Sequence, residues 1–434
     1  VRRVATLLGL VVAGSAGPAP GSPPPRYGGI WTLKVPSRPV SAWRCPARDA
    51  ASWIVWTQTH EPLYRASGER LEPVLARGPF ARDGDALVIP IRPGVSDHAG
   101  SPVGARAVAD WLDRVRTNPC LALFDGAGLG PVEPEADDAG GRVRLPWRAG
   151  ADAARTALAD PALRYAAGRP DAPGTGPFVE DGSPRRMRLE AWPRHREGRP
   201  YLDALALVAR SPFEASSRSD RGGADVVLET ASGSRGFRRL WYLAVAPKFA
   251  ARRPGIAPRL RTHIDRARVL GRLADAASFD APAPSAAPPR SARTVDSAVR
   301  LLAPESAPDA VVDRLQLELL QLGIRARVHR APAHGVDAAR QGGRYDLLFD
   351  GLVEPSDRGD RGVLLRLHRV FRDADGSRSI PPTVRSEPTR VVVLGIERLG
   401  WKTPPSRLAS EGRSIVGARP LQWADAWVLE RSHP

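Results

Sequence analysis

After the glycine pair Gly28 and Gly29, the chain places apolar residues at Ile30, Leu33 and Val35, the pattern of an opening strand. From Asp49 to Tyr64 the apolar positions Ala50, Ala51, Trp53, Ile54, Val55 and Trp56 fall at helical spacing, and Pro62 limits that helix. A stretch punctuated by Pro and Gly follows. In it LEPVLARGPF and ALVIPIRPGV read as short strands, with turns at Asp83-Gly84 and Pro93-Gly94. Ala105 to Arg116 reads as a helix, and residues 126 to 150 as loop with one strand at Arg142 to Pro146. Beyond GTGPF at Gly174 to Phe178, strands are expected in RRMRLEAW, in LDALALVA and in the apolar run Trp241 to Val245. Leu260, Ile264, Ala267, Val269, Leu270 and Leu273 share one expected helix reached through Pro258.

Residues 277 to 293, rich in Ala, Pro and Ser, read as a surface linker. Past it the pattern sharpens. Val299 to Leu302 predicts a strand, Asp309 to Leu322 an amphipathic helix stopped by Gly323, Ile324 to Val328 a returning strand and Tyr345 to Phe349 another. That order specifies an α/β lobe, and no fixed-period repeat points to a solenoid.

The chain has 434 residues, too many for one ordinary core, so two or three lobes are expected. With 44 prolines and 41 glycines, loops should be many and helices short. The formal charge of +17 raises nucleic acid as a partner, but its distribution argues against one. Lys34, Lys248 and Lys402 are the only lysines; the remaining basic residues are arginines scattered among acids, with no dense basic arm. At the start, Arg2 and Arg3 precede an apolar run from Val4 to Ala13 and then small residues, the order of a secretory signal over residues 1–16, with residues 17–26 a flexible leader. That run is shorter than the roughly 20 residues a bilayer crossing needs, so no membrane insertion is expected. In an oxidising compartment Cys45 and Cys120 can form a disulfide, and two separately buried thiols fit the spacing equally well.

Several segments, in order, resemble extracellular solute-binding protein family 5, the peptide- and nickel-type binding proteins of ABC importers. GGIWTLKVP resembles the family's first strand. EPLYRASGERLEPVLA (Glu61 to Ala76), IRPGVSDHAGSPV (Ile91 to Val103), GTGPF and EGRPYLDAL (Glu197 to Leu205) follow in family order. GGADVV (Gly222 to Val227), HIDRARVL, LQLELLQLGIRARVH and GRYDLLFDG extend the likeness through the carboxyl half. The chain departs from the family at Asp97, where an aromatic is usual, at Ala99, at His195-Arg196, and after Gly351, where LVEPSDRGD replaces a Trp and Asp-rich stretch. It is similar to a shortened and divergent member.

The resemblance implies an α/β, two-lobed periplasmic-binding-protein-like fold of type II with an appended region. Lobe I would comprise 27–56, 176–246 and 400–434, the appended lobe II 57–175 and lobe III 247–399. It implies an exported, periplasmic or secreted monomer that captures a peptide or other small solute between lobes I and III and presents it to an ABC transporter permease. The alternative is a degenerate scaffold that acts as a protein-interaction module. A peptide cleft must replace water around a charged amino terminus, so an acid is needed there. Asp350 and Glu354, at the end of the Tyr345 to Phe349 strand, are the candidate ligand-binding residues. No GxSxG elbow, P-loop or HExxH motif is present, so neither catalysis nor a cofactor is expected. The eight histidines, without metal-ligand spacing, read as surface or supporting residues, and the tryptophans as core.

Overall fold

The computed structural model describes residues 27–35, 49–67, 70–117, 131–135, 141–167, 173–181, 187–209, 226–230, 236–271, 298–355, 390–402, 413–416 and 427–430, with Leu273, Leu367 and Phe371. The expected signal segment and leader, Cys45, Cys120 and the 277–293 linker lie outside the described residues.

The first third of the chain runs β1 (Ile30–Val35), α1 (Ala50–Thr59), β2 (Tyr64–Ser67), β3 (Arg70–Pro73), β4 (Ala81–Asp83), β5 (Ala86–Pro90), α2 (Ala105–Thr117), β6 (Glu133–Glu135), β7 (Arg142–Pro146) and α3 (Ala151–Leu158). The middle adds β8 (Phe178–Asp181), β9 (Met187–Ala191), β10 (Ala204–Ala209), β11 (Val226–Thr230), β12 (Gly236–Val245), α4 (Pro247–Arg252), α5 (Ile256–His263) and α6 (Arg266–Leu270). The last part holds β13 (Val299–Pro304), α7 (Asp309–Gln321), β14 (Ala326–Ala331), α8 (Ala333–Gln341), β15 (Leu347–Pro355), β16 (Val391–Lys402) and the hairpin β17 (Arg413–Val416) and β18 (Trp427–Glu430).

One sheet of ten strands forms the spine, in the order β14-β13-β15-β12-β16-β11-β1-β10-β9-β8. A separate four-stranded sheet, β4-β5-β7-β6, stands beside it. Three apolar clusters divide the burial. One gathers around α1, β1, β8 and β10; a second joins β5 and β7 to α2 and α3; the third joins β13, α7 and the carboxyl half of β12. This is a mixed α/β architecture in which the ten-stranded sheet runs through two of the three apolar clusters.

Helix α1 shows how local chemistry sets an element. Asp49 accepts hydrogen bonds from the Ser52 backbone N–H (2.8 Å) and hydroxyl (2.7 Å), an N-cap that satisfies orphan donors of the first turn. All ten of its residues are buried, so it is apolar around its circumference rather than amphipathic. Its hydroxyls bond back into the helix, Thr57 to the Ile54 carbonyl and Thr59 to that of Val55. The Trp53 indole donates to the Val353 carbonyl at 2.7 Å and so anchors the helix on β15. Helix α7 ends as its sequence predicts, with Gly323 in the left-handed region (φ 73°).

Two readings need correction. The single helix expected through Leu260 and Leu273 is broken: Ile264 is extended, and Asp265 caps a new helix by accepting from the Arg268 N–H at 2.9 Å. Leu260, Ile264, Val269 and Leu270 are nonetheless buried together. Residues 126–150, read as loop with one strand, hold a second short strand, β6, paired with β7, and helix α3 follows in a stretch given no reading. Only Ala154, Ala157 and Leu158 of it are buried, so a short Ala-rich face suffices.

Residues 174–176 run tightly against the end of α1, where Gly176 N–H donates to the Thr59 carbonyl at 2.9 Å. A Cβ at Gly174 would collide with the Thr59 carbonyl and the His60 ring, and one at Gly176 with the Gln58 carbonyl. Gly174→Ala is therefore expected to destabilise the fold by roughly 2–4 kcal/mol. Gly78→Ala, where a Cβ meets nothing within 4 Å, should stay close to neutral. Urea unfolding of both variants checks this, and equal midpoints would contradict it.

Candidate functional site

Strands β12, β15 and β16 pass from one apolar cluster into another. On β12, Phe237 belongs with the α1 cluster and Leu240 to Val245 with the β13–α7 cluster; on β15 the change falls between Leu352 and Val353; on β16, between Ile396 and Leu399. The register aligns the three changeovers. Arg239 lies opposite Val353 and Glu397, and Arg238 opposite Glu354 and Arg398. The waist between the cores is therefore a charged row, with Glu354 and Glu397 each 3% exposed and the three arginines half-buried.

Successive side chains of a strand point to opposite faces, so the row presents two surfaces. On one, Glu397 Oε2 accepts from Arg239 Nη1 at 3.2 Å and from the Trp241 indole N–H at 3.0 Å. The Arg239 guanidinium lies 5.1 Å from the Trp241 ring centre, and the indole stacks on Phe349 at 5.2 Å and 8°. Room for the indole comes from its neighbours: both residues registered with Trp241 are glycines, Gly351 and Gly395. A Cβ at Gly351 would lie 3.1–3.2 Å from Arg239 and Trp241 atoms. The β12–β16 register shifts directly after Trp241. Asp49 faces this side. Burial pushes its carboxyl above the usual range, against the Ser52 hydrogen bonds and the Arg239 charge.

Asp350 and Glu354 both lie within β15, not at its end, because the strand continues to Pro355 in pairing with β12. Both are buried, so neither is a solvated loop acid. Asp350 Oδ2 accepts from the Tyr242 hydroxyl at 3.0 Å and Oδ1 from the Gly351 N–H at 2.8 Å; Phe371 meets the Tyr242 ring edge-on. The two acids sit on the same face of β15, one at the waist and one a turn of the pleat inside the β13–α7 cluster. Arg239, Trp241, Gly351 and Glu397 were not singled out from sequence. The available signal was the charged pair ending each apolar run, Arg238-Arg239 and Glu397-Arg398.

A second buried charge cluster joins the segment after α1 to the loop before β10. Glu61 Oε1 accepts from Arg196 Nη2 (3.0 Å) and Nε (3.2 Å) and lies 3.3 Å from His195 Nε2. His98 Nε2 lies 2.9 Å from the Gly176 carbonyl, with its ring edge-on to Trp192. Asp97 closes its own turn by accepting from the Ala99 and Ser101 N–H groups. The sequence departures at Asp97 and at His195-Arg196 thus fall in one neighbourhood, and His60 and His195, read as surface or supporting residues, are buried. Among the described residues no group of three His, Cys, Asp or Glu is placed to hold a metal, and no helix is long and apolar enough to cross a membrane.

No protein-family model matches the chain, and no curated protein matches it in sequence. Solved structures do match in fold. The oligopeptide-binding protein AppA from Bacillus subtilis, in complex with a nonapeptide, superposes with a TM-score of 0.67 at 14% identity, over 94% of this chain and 100% of that one. The ABC transporter-associated periplasmic binding protein DppA from Helicobacter pylori, with the peptide STSA, gives 0.66 at 12% identity over 94% and 99%. NikA from Staphylococcus aureus, with Ni(L-His)2, gives 0.64 at 11% over 90% and 97%.

Burial alone would raise the Glu61 carboxyl, but the His195 hydrogen bond and the Arg196 charge outweigh it and hold the group below its ordinary 4.5. Burial lowers His98 below its ordinary 6.5, against the Gly176 bond and the Asp97 charge. Both folded-state values lie below the unfolded ones, so the fold binds fewer protons than the unfolded chain. Stability should decline as pH falls through about 6.5 (His98) and again below about 4.5 (Glu61). His98→Gln should flatten the first decline. Glu61→Gln should flatten the second while costing about 3 kcal/mol at neutral pH, since it leaves Arg196 short of its buried partner. Denaturation midpoints across the pH series measure both, and an unchanged profile in either variant refutes that assignment.

Proposed function

We propose that this chain is an exported solute-binding protein that resembles family 5 and takes up a peptide or another small solute between two lobes for delivery to an ABC importer. The lobes would be those expected from sequence, residues 27–56, 176–246 and 400–434 on one side and 247–399 on the other, with 57–175 appended. The charged row carries this reading. A stretch of strand between two apolar cores has no packing reason to bury two glutamates beside three arginines, whereas a polar solute bridging two lobes requires such groups. The shared fold supports it, since AppA and DppA were each solved with a peptide.

In mechanism the protein would bind, not catalyse. A solute that touches both lobes only when they are closed shifts the population toward closure. Gly351 and Gly395 flank Trp241 at the changeover, where backbone adjustment needs least side-chain rearrangement. Asp350 and Glu354 would supply the negative charge for an ammonium group. Each already lies in a hydrogen-bonded strand, so their carboxylates are held in place before a ligand arrives.

Native mass spectrometry of freshly purified protein should show a co-purified small molecule. A thermal-shift screen against a peptide library should find members that stabilise the fold, by about 2.7 kcal/mol at a hundredfold excess over Kd. For such a ligand Glu354→Gln and Asp350→Asn should each weaken binding about tenfold or more, the scale of one charged hydrogen bond. No bound molecule and no shift across the library would refute solute capture and leave the protein-interaction scaffold as the better reading.

A further inference from the structure

Helix α7 carries two stripes where its own packing needs one. Val311, Val312, Leu315 and Leu319 turn into the β13–α7 cluster. On the side away from it, Ala310, Asp313, Leu317 and Leu320 recur at the alternating three- and four-residue spacing of a coiled-coil seam, and all four are exposed. Leu317 is 59% exposed and Leu320 56%. Among the described residues the other large hydrophobic side chains left exposed are Tyr27, Ile30 and Val208, none of them on a helix. A single exposed leucine is ordinary on a protein surface. Two on neighbouring turns, at the spacing that seats one helix on another, form a docking face.

The seam selects its occupant by what it can face. In a parallel pair of α7 helices each residue would meet its own copy, so Asp313 would stack on Asp313 inside the contact, like charge on like. Turned antiparallel about a two-fold axis between Leu317 and Leu320, the seam meets itself with Leu317 on Leu320 and Leu320 on Leu317. Asp313 then lies opposite Ile324 of the second copy, beyond the Gln321 end of that helix and one residue from the exposed Arg325. The apolar part of the seam is thus complementary to itself and the charged part falls outside the contact, at a cationic position. Closed two-fold pairing is also the commonest form of self-association.

We propose that two copies of this chain pair through antiparallel packing of α7 on α7, with Leu317 and Leu320 as the contact. Two leucine layers make less than the roughly 1,200 Å² of a stable interface, so the pairing is weak and the chain is a monomer when dilute. Each copy carries a formal charge of +17, so the contact forms against mutual repulsion and salt strengthens it. The inference goes beyond solute capture and does not depend on it.

Sedimentation equilibrium of the full chain tests the assignment. A reversible monomer–dimer equilibrium is expected, with a Kd on the order of 0.1 mM that tightens as salt rises from about 0.1 M to about 0.5 M. L317K/L320K should weaken pairing at least about 30-fold and the uncharged L317Q/L320Q at least about tenfold, with melting curves confirming that both fold. I30K/V208K adds the same charge at exposed apolar sites on β1 and β10 and should stay within about threefold of the parent. D313A should also stay within about threefold, whereas clear strengthening would mean that two Asp313 side chains meet in a parallel pair and would overturn the arrangement. A monomer at every concentration overturns the proposal, as do equal losses in L317K/L320K and I30K/V208K. So does association that salt weakens, which would place a charged contact elsewhere. A melting temperature lowered in L317Q/L320Q without any change in association would show the leucines covered by the chain itself and would overturn it too.

Discussion

Three strands must be continuous through two separate hydrophobic cores, and most of the molecule follows from that demand. A strand inside a core is apolar on the faces it buries, and β12 meets this with Leu240 to Val245 on one side of the waist and Phe237 on the other. Between the cores the strands turn from apolar to charged residues. The register then brings Arg238, Arg239, Glu354, Glu397 and Arg398 into one band. Buried acids are costly unless matched by donors, and Glu397 has two, from Arg239 and the Trp241 indole. Charge at the waist therefore completes the sheet locally where one apolar cluster gives way to the other.

Trp241 stiffens the waist. Its ring is held between the Arg239 guanidinium and Phe349, its N–H is fixed by Glu397, and it is 2% exposed. Such a group is well defined in position only if the adjacent strands leave room, which Gly351 and Gly395 do. The same glycines weaken the strands in which they sit, because glycine loses more backbone freedom than any other residue on ordering. A rigid aromatic pin beside two permissive backbone positions confines any bending to a short segment, and α1 is tied to the far side of that segment through Trp53 and the Val353 carbonyl.

The sequence made the local part of this legible. Helix α7 with its Gly323 stop, the strand after Gly28-Gly29 and the capped helix from Asp49 all rest on residues near in sequence, and each was readable from periodicity and caps. The break at Ile264 was not, because Asp265 looks like one more polar residue on a helix until its carboxylate is seen to cap Arg268. Strand β15 outran its apparent end for a related reason: Asp350 and Glu354 read as acids at a strand end, yet the pairing with β12 is worth more than their individual strand propensities. The waist is a product of register between strands about 110 to 160 residues apart in the chain. Nothing in a single apolar run reports which charges it will face across the sheet. Asp97, His195 and Arg196 stood out only as departures from a family pattern, and their proximity to Glu61 is likewise a long-range fact.

The arginine content, which by itself raised a nucleic-acid partner, has a structural use in many of the places where it can be followed. Arg92 donates to the Val74 carbonyl, Arg164 to those of Pro161 and His60, Arg259 to Leu322, and Arg330 to both Pro304 and Ala307. A chain with 44 prolines lacks that many backbone donors and has many loop carbonyls outside any ladder. The guanidinium, with five donors in a rigid fork and a charge that persists at every relevant pH, satisfies two such carbonyls at once where a lysine ammonium is a less directional substitute. Exposed arginines such as Arg106, Arg155, Arg300 and Arg327 reach neither a carbonyl nor a carboxylate among the described residues and carry their charge in solvent.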